Sequence, residues 1–352
     1  MRISRKMEHV HYALELGQSR QQGLSDIKLV HNCLPETSTD HIALTTTIGD
    51  LTMSSPILIN AMTGGAHETE SINRELAILA RETGMPMAVG SQMSAIKNKE
   101  VAPSYEVVRR ENPKGIIFAN LGSEATLDQA LRAIEMIEAN ALQIHLNVMQ
   151  ELIMPEGDRS FVGMLSRIET IVRHSPVPII VKEVGFGISR SNAKQLQEIG
   201  VKTLDVGGSG GTNFAAIENA RRPSALAWLN DWGTPTSISL LEALSVYPTG
   251  SVIASGGITN AIEAAKALTI GASAVGMAGA FLKVLQTEGA DALHSFAKEL
   301  HQGLILIMTA LGANSIQALS GCPVVIMGET AEWCQARGIN LTSYAARSNQ
   351  SK

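Results

Sequence analysis

The chain has 352 residues, 45% hydrophobic and 17% charged, with a net charge of −5; length alone leaves room for one to three domains. The acidic balance, with no basic stripe or block of like charge, argues against a nucleic-acid binder, and no apolar run approaches the ~20 residues that span a bilayer. Cys33, Cys322 and Cys334 are odd in number and far apart, which argues against a disulfide framework and for a reducing, cytoplasmic setting.

The N-terminal run 4–17, SRKMEHVHYALELG, reads as a polar helix closed by Gly17. Residues 42–55 hold two short β-prone stretches about Gly49-Asp50, a hairpin signal. Eight apolar runs follow, each ending in small or polar residues: 55–65, 86–94, 115–122, 141–151, 178–185, 203–212, 250–259 and 272–279. Between them lie helical patterns such as 70–84, 127–139, 163–175, 189–200 and 260–271. The strands alternate little, as strands buried on both faces do. Eight strand–helix units predict an α/β chain folded as a (β/α)8 TIM barrel, with the chemistry at the C-terminal strand ends. The core spans about 55–312 of a single domain, 1–54 and 313–352 decorate it, and the hairpin is expected to close the barrel bottom. Residues 303–312, GLILIMTALG, read as a buried helix segment. A long loop, 211–239, interrupts the rhythm after strand six; it reads either as a lid or binding loop or as a surface excursion packed by Trp228 and Trp232.

Strands seven and eight end in 255-SGGIT-259 and 276-GMAGA-280, each opening a helix. Glycine permits close backbone approach, helix N-termini bind phosphate, and these two loops are the usual phosphate site of a barrel. Lys182 stands at the end of apolar strand five and needs a partner, because burying a lone ammonium is costly. Three readings fit it: one half of an ion pair, a Schiff-base nucleophile, or the counter-charge to an anionic cofactor. The phosphate loops favour the third: a flavin mononucleotide carries a phosphate, and its reduced ring is negative near N1. Thr63, Ser91, Asn120 and Thr212 stand at other strand ends as partners for such a ring. In strand four, Gln143, His145 and Asn147 alternate onto one face. Glu151 beyond them is either a surface carboxylate or a Mg2+ ligand acting together with substrate phosphates.

The chain resembles the type 2, flavin-dependent isopentenyl-diphosphate isomerases. The matching pieces run in that family's order to about residue 330: 4-SRKMEH-9, 61-AMTGG-65, 90-GSQMSA-95, 119-ANLG-122, 145-HLNVMQE-151, 182-KEVGFG-187, 205-DVGGSGGTNFAAIE-218, 255-SGGI-258 and 276-GMAG-279. SRKxEH with HLNxxQE is specific; SGGI and GMAG occur in many FMN barrels. Two departures are Thr259, where FMN barrels often carry arginine, and Gly207, where relatives often carry serine. The resemblance implies interconversion of isopentenyl and dimethylallyl diphosphate by reduced FMN, with Mg2+ and with NADPH serving only to reduce the flavin. It implies that Arg5 and Lys6 grip the diphosphate, that Ser91, Gln92, Met93, His145 and Asn147 line the substrate site, and that Gln150 sits by the double bond. On the same resemblance, Glu151 would hold Mg2+, Gln150, His145 and Lys182 would carry the catalysis, and Ala61, Met62, Thr63, Ser91, Asn120, Lys182, Thr212, Gly256, Gly257, Ile258, Ala278 and Gly279 would bind FMN. It further implies a homo-oligomer, tetramer or octamer.

Rival readings are an FMN oxidoreductase of a small hydroxy acid or dihydropyrimidine, a Schiff-base aldolase using Lys182, and a non-enzymatic phosphate-binding module. An inosine-monophosphate-dehydrogenase-like barrel needs a nucleophilic cysteine after strand six, and 207-GGSGGTNF-214 has none.

Overall fold

The computed structural model describes residues 5–16, 21–247 and 250–348; the side chains of Arg5, Lys6 and His9 lie outside the described set, and with them the two expected diphosphate cations. Eight strands close into a barrel: β1 (Ile57–Ile59), β2 (Met87–Ala88), β3 (Ile117–Gly122), β4 (Ala141–Leu146), β5 (Ile179–Glu183), β6 (Thr203–Asp205), β7 (Val252–Ser255) and β8 (Ala274–Met277). Each neighbouring pair is parallel, and β8 joins β1.

Period-two alternation divides each strand between two environments. Outward residues such as Ile59, Ile117, Leu142 and Val181 pack against the helical ring. Inward residues Leu58, Phe118, Ala141, Ile180 and Ile253 fill the lower barrel. The hairpin Thr46–Ile48/Leu51–Met53 plugs this layer from below, with Ile48 and Met53 each 1% exposed inside it. Two residues further along the strands, the inward positions turn polar: Asn60, Asn120, Gln143, Lys182, Asp205 and Ser255. Ladder register holds them level, pairing Asn120 with Gln143 and Lys182 with Asp205.

Three expectations need correction. The segment 211–239 is not one loop. It contains a helix, Phe214–Ala220, whose Asn213 cap accepts the Ala216 N–H at 3.1 Å, and a second helix that begins at Thr236 rather than near Leu240. Seven residues are too few to display a helical period. Trp228 and Trp232 are 76% and 58% exposed; Leu229 and hydrogen bonds from Asn213 and Asn219 to Asn230 hold the segment. Residues 303–312 end a 22-residue helix, Ala290–Leu311, which buries one face through Leu304, Met308 and Leu311 while Leu306 stays 60% exposed. The C-terminal segment contributes a strand, Val324–Ile326, paired antiparallel with Ile27–Leu29.

Candidate active site

The barrel opens at its C-terminal end into a cavity of about 1140 Å³, larger than the ~300–1,000 Å³ typical of a small-ligand site. The polar layer is its floor. Asp205, fully buried, accepts from Asn60 Nδ2 at 2.7 Å and from the Ser255 hydroxyl, and lies 3.3 Å from Lys182 Nζ. The lysine therefore has its carboxylate partner and still lines the cavity. Besides Asp205, its Nζ donates to the Glu183 carbonyl at 3.0 Å and to the Ser255 hydroxyl at 3.4 Å. The next residue, Glu183, turns the other way. Its Oε2 accepts the N–H groups of Val184, Gly185, Phe186 and Gly187 at 2.6–3.2 Å, shaping the KEVGFG loop around one carboxylate. Burial drives that carboxyl up to about 7 against the pull of these amides and of Lys182. A charged residue next to a glycine-rich turn was the available sign of this role.

The HLNxxQE spacing has a structural reason. β4 ends at Leu146, and a short helix, Val148–Ile153, follows. Asn147, Gln150 and Glu151 therefore lie three and four residues apart on one helical face. All three line the cavity beside His145. Asn147 Nδ2 donates to Glu151 Oε1 at 2.9 Å and the Asp158 N–H to Oε2 at 2.8 Å, so the carboxylate is held from both sides. Glu124 and Asp158 share this edge of the cavity; burial first, and then repulsion from Glu151 and Asp158, push the Glu124 carboxyl up. Among the described residues no cluster of three or more His, Cys, Asp or Glu side chains forms a metal site. The oxygen donors here suit a hard cation that takes few protein ligands.

Glu218, absent from the expected set, is fully buried and accepts from Gln150 Nε2 at 2.9 Å. Arg221 binds Glu218, Glu156 at 2.7 Å and Glu8 at 3.3 Å. Burial works against the Arg221 charge, but the hydrogen bonds to Glu156 and Glu218 outweigh it and hold the guanidinium above its ordinary value. The clamp ties the short helix, the Phe214–Ala220 helix and the N-terminal helix α1 (Arg5–Leu16) together. Val10, Ala13 and Leu14 of α1 line the chain's own cavity. In the sequence Glu218 stood only as the last residue of a matching piece, with no role attached, and Arg221 only as a member of a loop.

Fit to a flavin is tested by the cavity wall. Thr63 Oγ1 is buried there with no hydrogen-bond partner among the described residues. The N–H groups of Gly257 and Ile258 likewise have no acceptor among them, and the helix Gly279–Glu288 points its N-terminus at the same place. Orphan donors at a helix start suit a phosphate. Ala61, Met62, Ser91, Asn120, Thr212 and Gly256 line the remaining wall, with Ala278 beside the helix start. The glycines also serve the fold: a Cβ at Gly256 (φ +112°) would stand 2.1 Å from Gly208 O. Gly207 has φ +46° and a Cβ there would meet Glu183 O at 1.9 Å, so this backbone has no room for the serine of relatives. Thr259 gives both its N–H and its hydroxyl to Glu263, at 2.8 and 3.0 Å.

Ser91 and Met93 line the cavity, the Ser91 carbonyl held by the Tyr105 hydroxyl. Gln92 is a correction. Its side chain is fully buried outside the cavity, donating to Ala133 O at 3.0 Å and accepting the Asn120 N–H at 3.0 Å. It braces the Asn120 backbone. None of the free cysteines lines the cavity.

Comparison with known proteins supplies the family. The FMN-dependent dehydrogenase model matches residues 163–324. The isopentenyl-diphosphate delta-isomerase of Bacillus licheniformis is 54% identical over 347 residues, covering 98% of this chain and 99% of that protein. The enzyme of that name from Bacillus cytotoxicus is 55% identical over the same shares. Among solved structures, mandelate oxidase with 3,3-difluoro-2-hydroxy-3-phenylpropionic acid superposes with a TM-score of 0.64 at 16% identity, covering 91% of this chain and 95% of that one. The last likeness speaks for the fold alone. Identity above half along nearly the full length of both chains decides the family, and the dehydrogenase match decides the cofactor class: the chain belongs to the isopentenyl-diphosphate delta-isomerases of the FMN-dependent type.

Proposed function

We propose that the protein interconverts isopentenyl and dimethylallyl diphosphate, in isoprenoid biosynthesis, as a 1,3 shift of a double bond with no net redox change. The observation that carries this reading is the division of the cavity. Lys182 and the orphan amides in the loops after β7 and β8 form one half; His145 on β4 with Asn147, Gln150 and Glu151 just past it form another. Reduced FMN, when bound, supplies the proton that an unactivated alkene requires. Lys182 balances the negative charge of the reduced ring. Glu218 holds the Gln150 amide nitrogen, which leaves the Gln150 oxygen to face the allylic carbon. Glu151 would hold Mg2+ against the diphosphate, and Arg5 and Lys6 would grip its other oxygens. His145, Asn147, Ser91 and Met93 shape the substrate site, and the apolar face of α1 excludes water. NADPH serves only to reduce the flavin. The same reading extends to a cytoplasmic homo-oligomer, a tetramer or octamer.

The test is an anaerobic assay with isopentenyl diphosphate, Mg2+ and FMN reduced in advance. Dimethylallyl diphosphate should form over many turnovers without further NADPH, and the oxidised enzyme should be inert. One NADPH consumed per product, or turnover of a hydroxy acid by the oxidised enzyme, would replace this reading with an oxidoreductase.

A further inference from the structure

The polar floor is a single directed chain of hydrogen bonds. Asn60 Nδ2 donates to Asp205 Oδ2 at 2.7 Å, Gln143 Nε2 to Asn60 Oδ1 at 3.1 Å, and Asn120 Nδ2 to Gln143 Oε1 at 3.1 Å. Asn120 Oδ1 then meets His145 Nδ1 at 2.9 Å. Asn60, Asn120, Gln143 and Asp205 are all at most 2% exposed, so these groups depend mainly on one another for hydrogen bonds.

The direction is set at one end. A carboxylate accepts and does not donate, and Asp205 already faces Lys182 and the Ser255 hydroxyl. Asn60 must therefore offer it the amide NH2. A second contact fixes the same orientation, because Asn60 Oδ1 accepts the Ala61 N–H at 2.9 Å. With Asn60 fixed, Gln143 must present its NH2 to Asn60 and its oxygen to Asn120. Asn120 must then present its oxygen to His145. Reversing any amide would set two acceptors or two donors face to face in a dry interior, at the full cost of unsatisfied buried groups.

We infer that this chain fixes the protonation geometry of His145: Nδ1 always carries hydrogen, and the histidine meets its ligand through Nε2, as an acceptor when neutral and as a donor when protonated. Asn60, Gln143 and Asn120 are positioning residues that act on the substrate side of the cavity. The charge that orders them, Asp205, lies on the flavin side. The inference rests on the reading of His145 as a substrate contact.

The test uses the FMN-loaded enzyme labelled with 15N-histidine, with His145 assigned through His145→Gln, and needs no turnover. At a pH where His145 is neutral, its long-range 1H–15N pattern should show a pyrrole-type Nδ1 and a pyridine-type Nε2. Gln143→Met, checked for folding by circular dichroism and for its flavin spectrum, lets Asn120 rotate. It should give a mixture of both tautomers and, at that pH, about tenfold lower kcat/KM, the lower end of the loss seen when a partner that orients a histidine is removed. A wild-type neutral ring protonated on Nε2, or an unchanged tautomer in a folded Gln143→Met enzyme, would overturn the inference. Correct tautomer without isomerase activity would instead count against the proposed function alone.

Discussion

At the scale of single residues, Lys182 lies 3.3 Å from Asp205 and, in the proposed function, would also balance the reduced flavin. Lys182→Ala removes both at once. The stranded carboxylate should lower stability by about 3–5 kcal/mol, the usual result of halving a buried pair. Affinity for reduced FMN should fall about ten- to a hundredfold, with a smaller effect on oxidised FMN. The double variant Lys182→Ala/Asp205→Asn separates these effects: thermal melts should recover much of the loss, while anaerobic flavin titrations should not. Equal loss for both redox states would remove the electrostatic role. Glu151 has one obligation. Asn147 and the Asp158 N–H already orient it, so Glu151→Gln should leave the fold and FMN content intact while sharply raising the Mg2+ concentration needed for half-maximal rate. An unchanged metal dependence would remove Glu151 from the site.

At the scale of elements, α1 illustrates how a segment far outside the barrel comes to wall its cavity. Val10, Ala13 and Leu14, at i, i+3 and i+4, make one apolar stripe that faces the mouth, and Glu8 ties the helix to Arg221. Deleting residues 1–8 removes Arg5, Lys6 and that tie. Each lost charge-assisted contact should cost about 1.5–3 kcal/mol, so KM for isopentenyl diphosphate should rise at least ten- to a hundredfold. Flavin content should not change, because the orphan amides stand in the loops after β7 and β8, across the barrel. A truncated enzyme with normal KM would make this segment a tail. The short helix after β4 gives the complementary lesson. The triad Asn147, Gln150 and Glu151 was legible as a motif, but the alternation expected for an extended strand ends at Leu146, where helical spacing takes over.

At the scale of the whole molecule, the segments on both sides of the barrel, around Gln22–Asp26 and Thr330–Arg337, meet at the helix Thr236–Leu244. Thr330 bonds Ser237 at 2.9 Å and its N–H reaches Asp26, while Glu242 accepts from Arg337, Trp333 and the Arg190 N–H. Burial alone would raise the Glu242 carboxyl; the hydrogen bonds outweigh it and hold it at about 2, below its ordinary 4.5. A lowered folded value stabilises the native state above the ordinary value, and that contribution is lost as pH falls through about 2. Denaturant midpoints of Glu242→Gln should therefore lie below the wild type at neutral pH and converge with it across the acid window from about 4.5 to about 2. Parallel curves over that window would show that Glu242 contributes no proton-linked stability.

The sequence by itself determined the barrel, the hairpin that closes its bottom, the glycine loops after β7 and β8, and most of the residues that line the cavity. Strand periodicity, helix stops and glycine pairs are local signals, and eight units repeat them. Tertiary structure alone decided which buried polar groups meet. Asn60, Gln143 and Asp205 lie up to 145 residues apart, and nothing local marks their register; the closed ladder brings them level two residues above the apolar layer. Gln92 and Gln150, both glutamines in family motifs, were indistinguishable as letters. Packing turned the first toward the Asn120 backbone and the second toward the cavity, because a side chain's partner is set by what the rest of the fold places beside it.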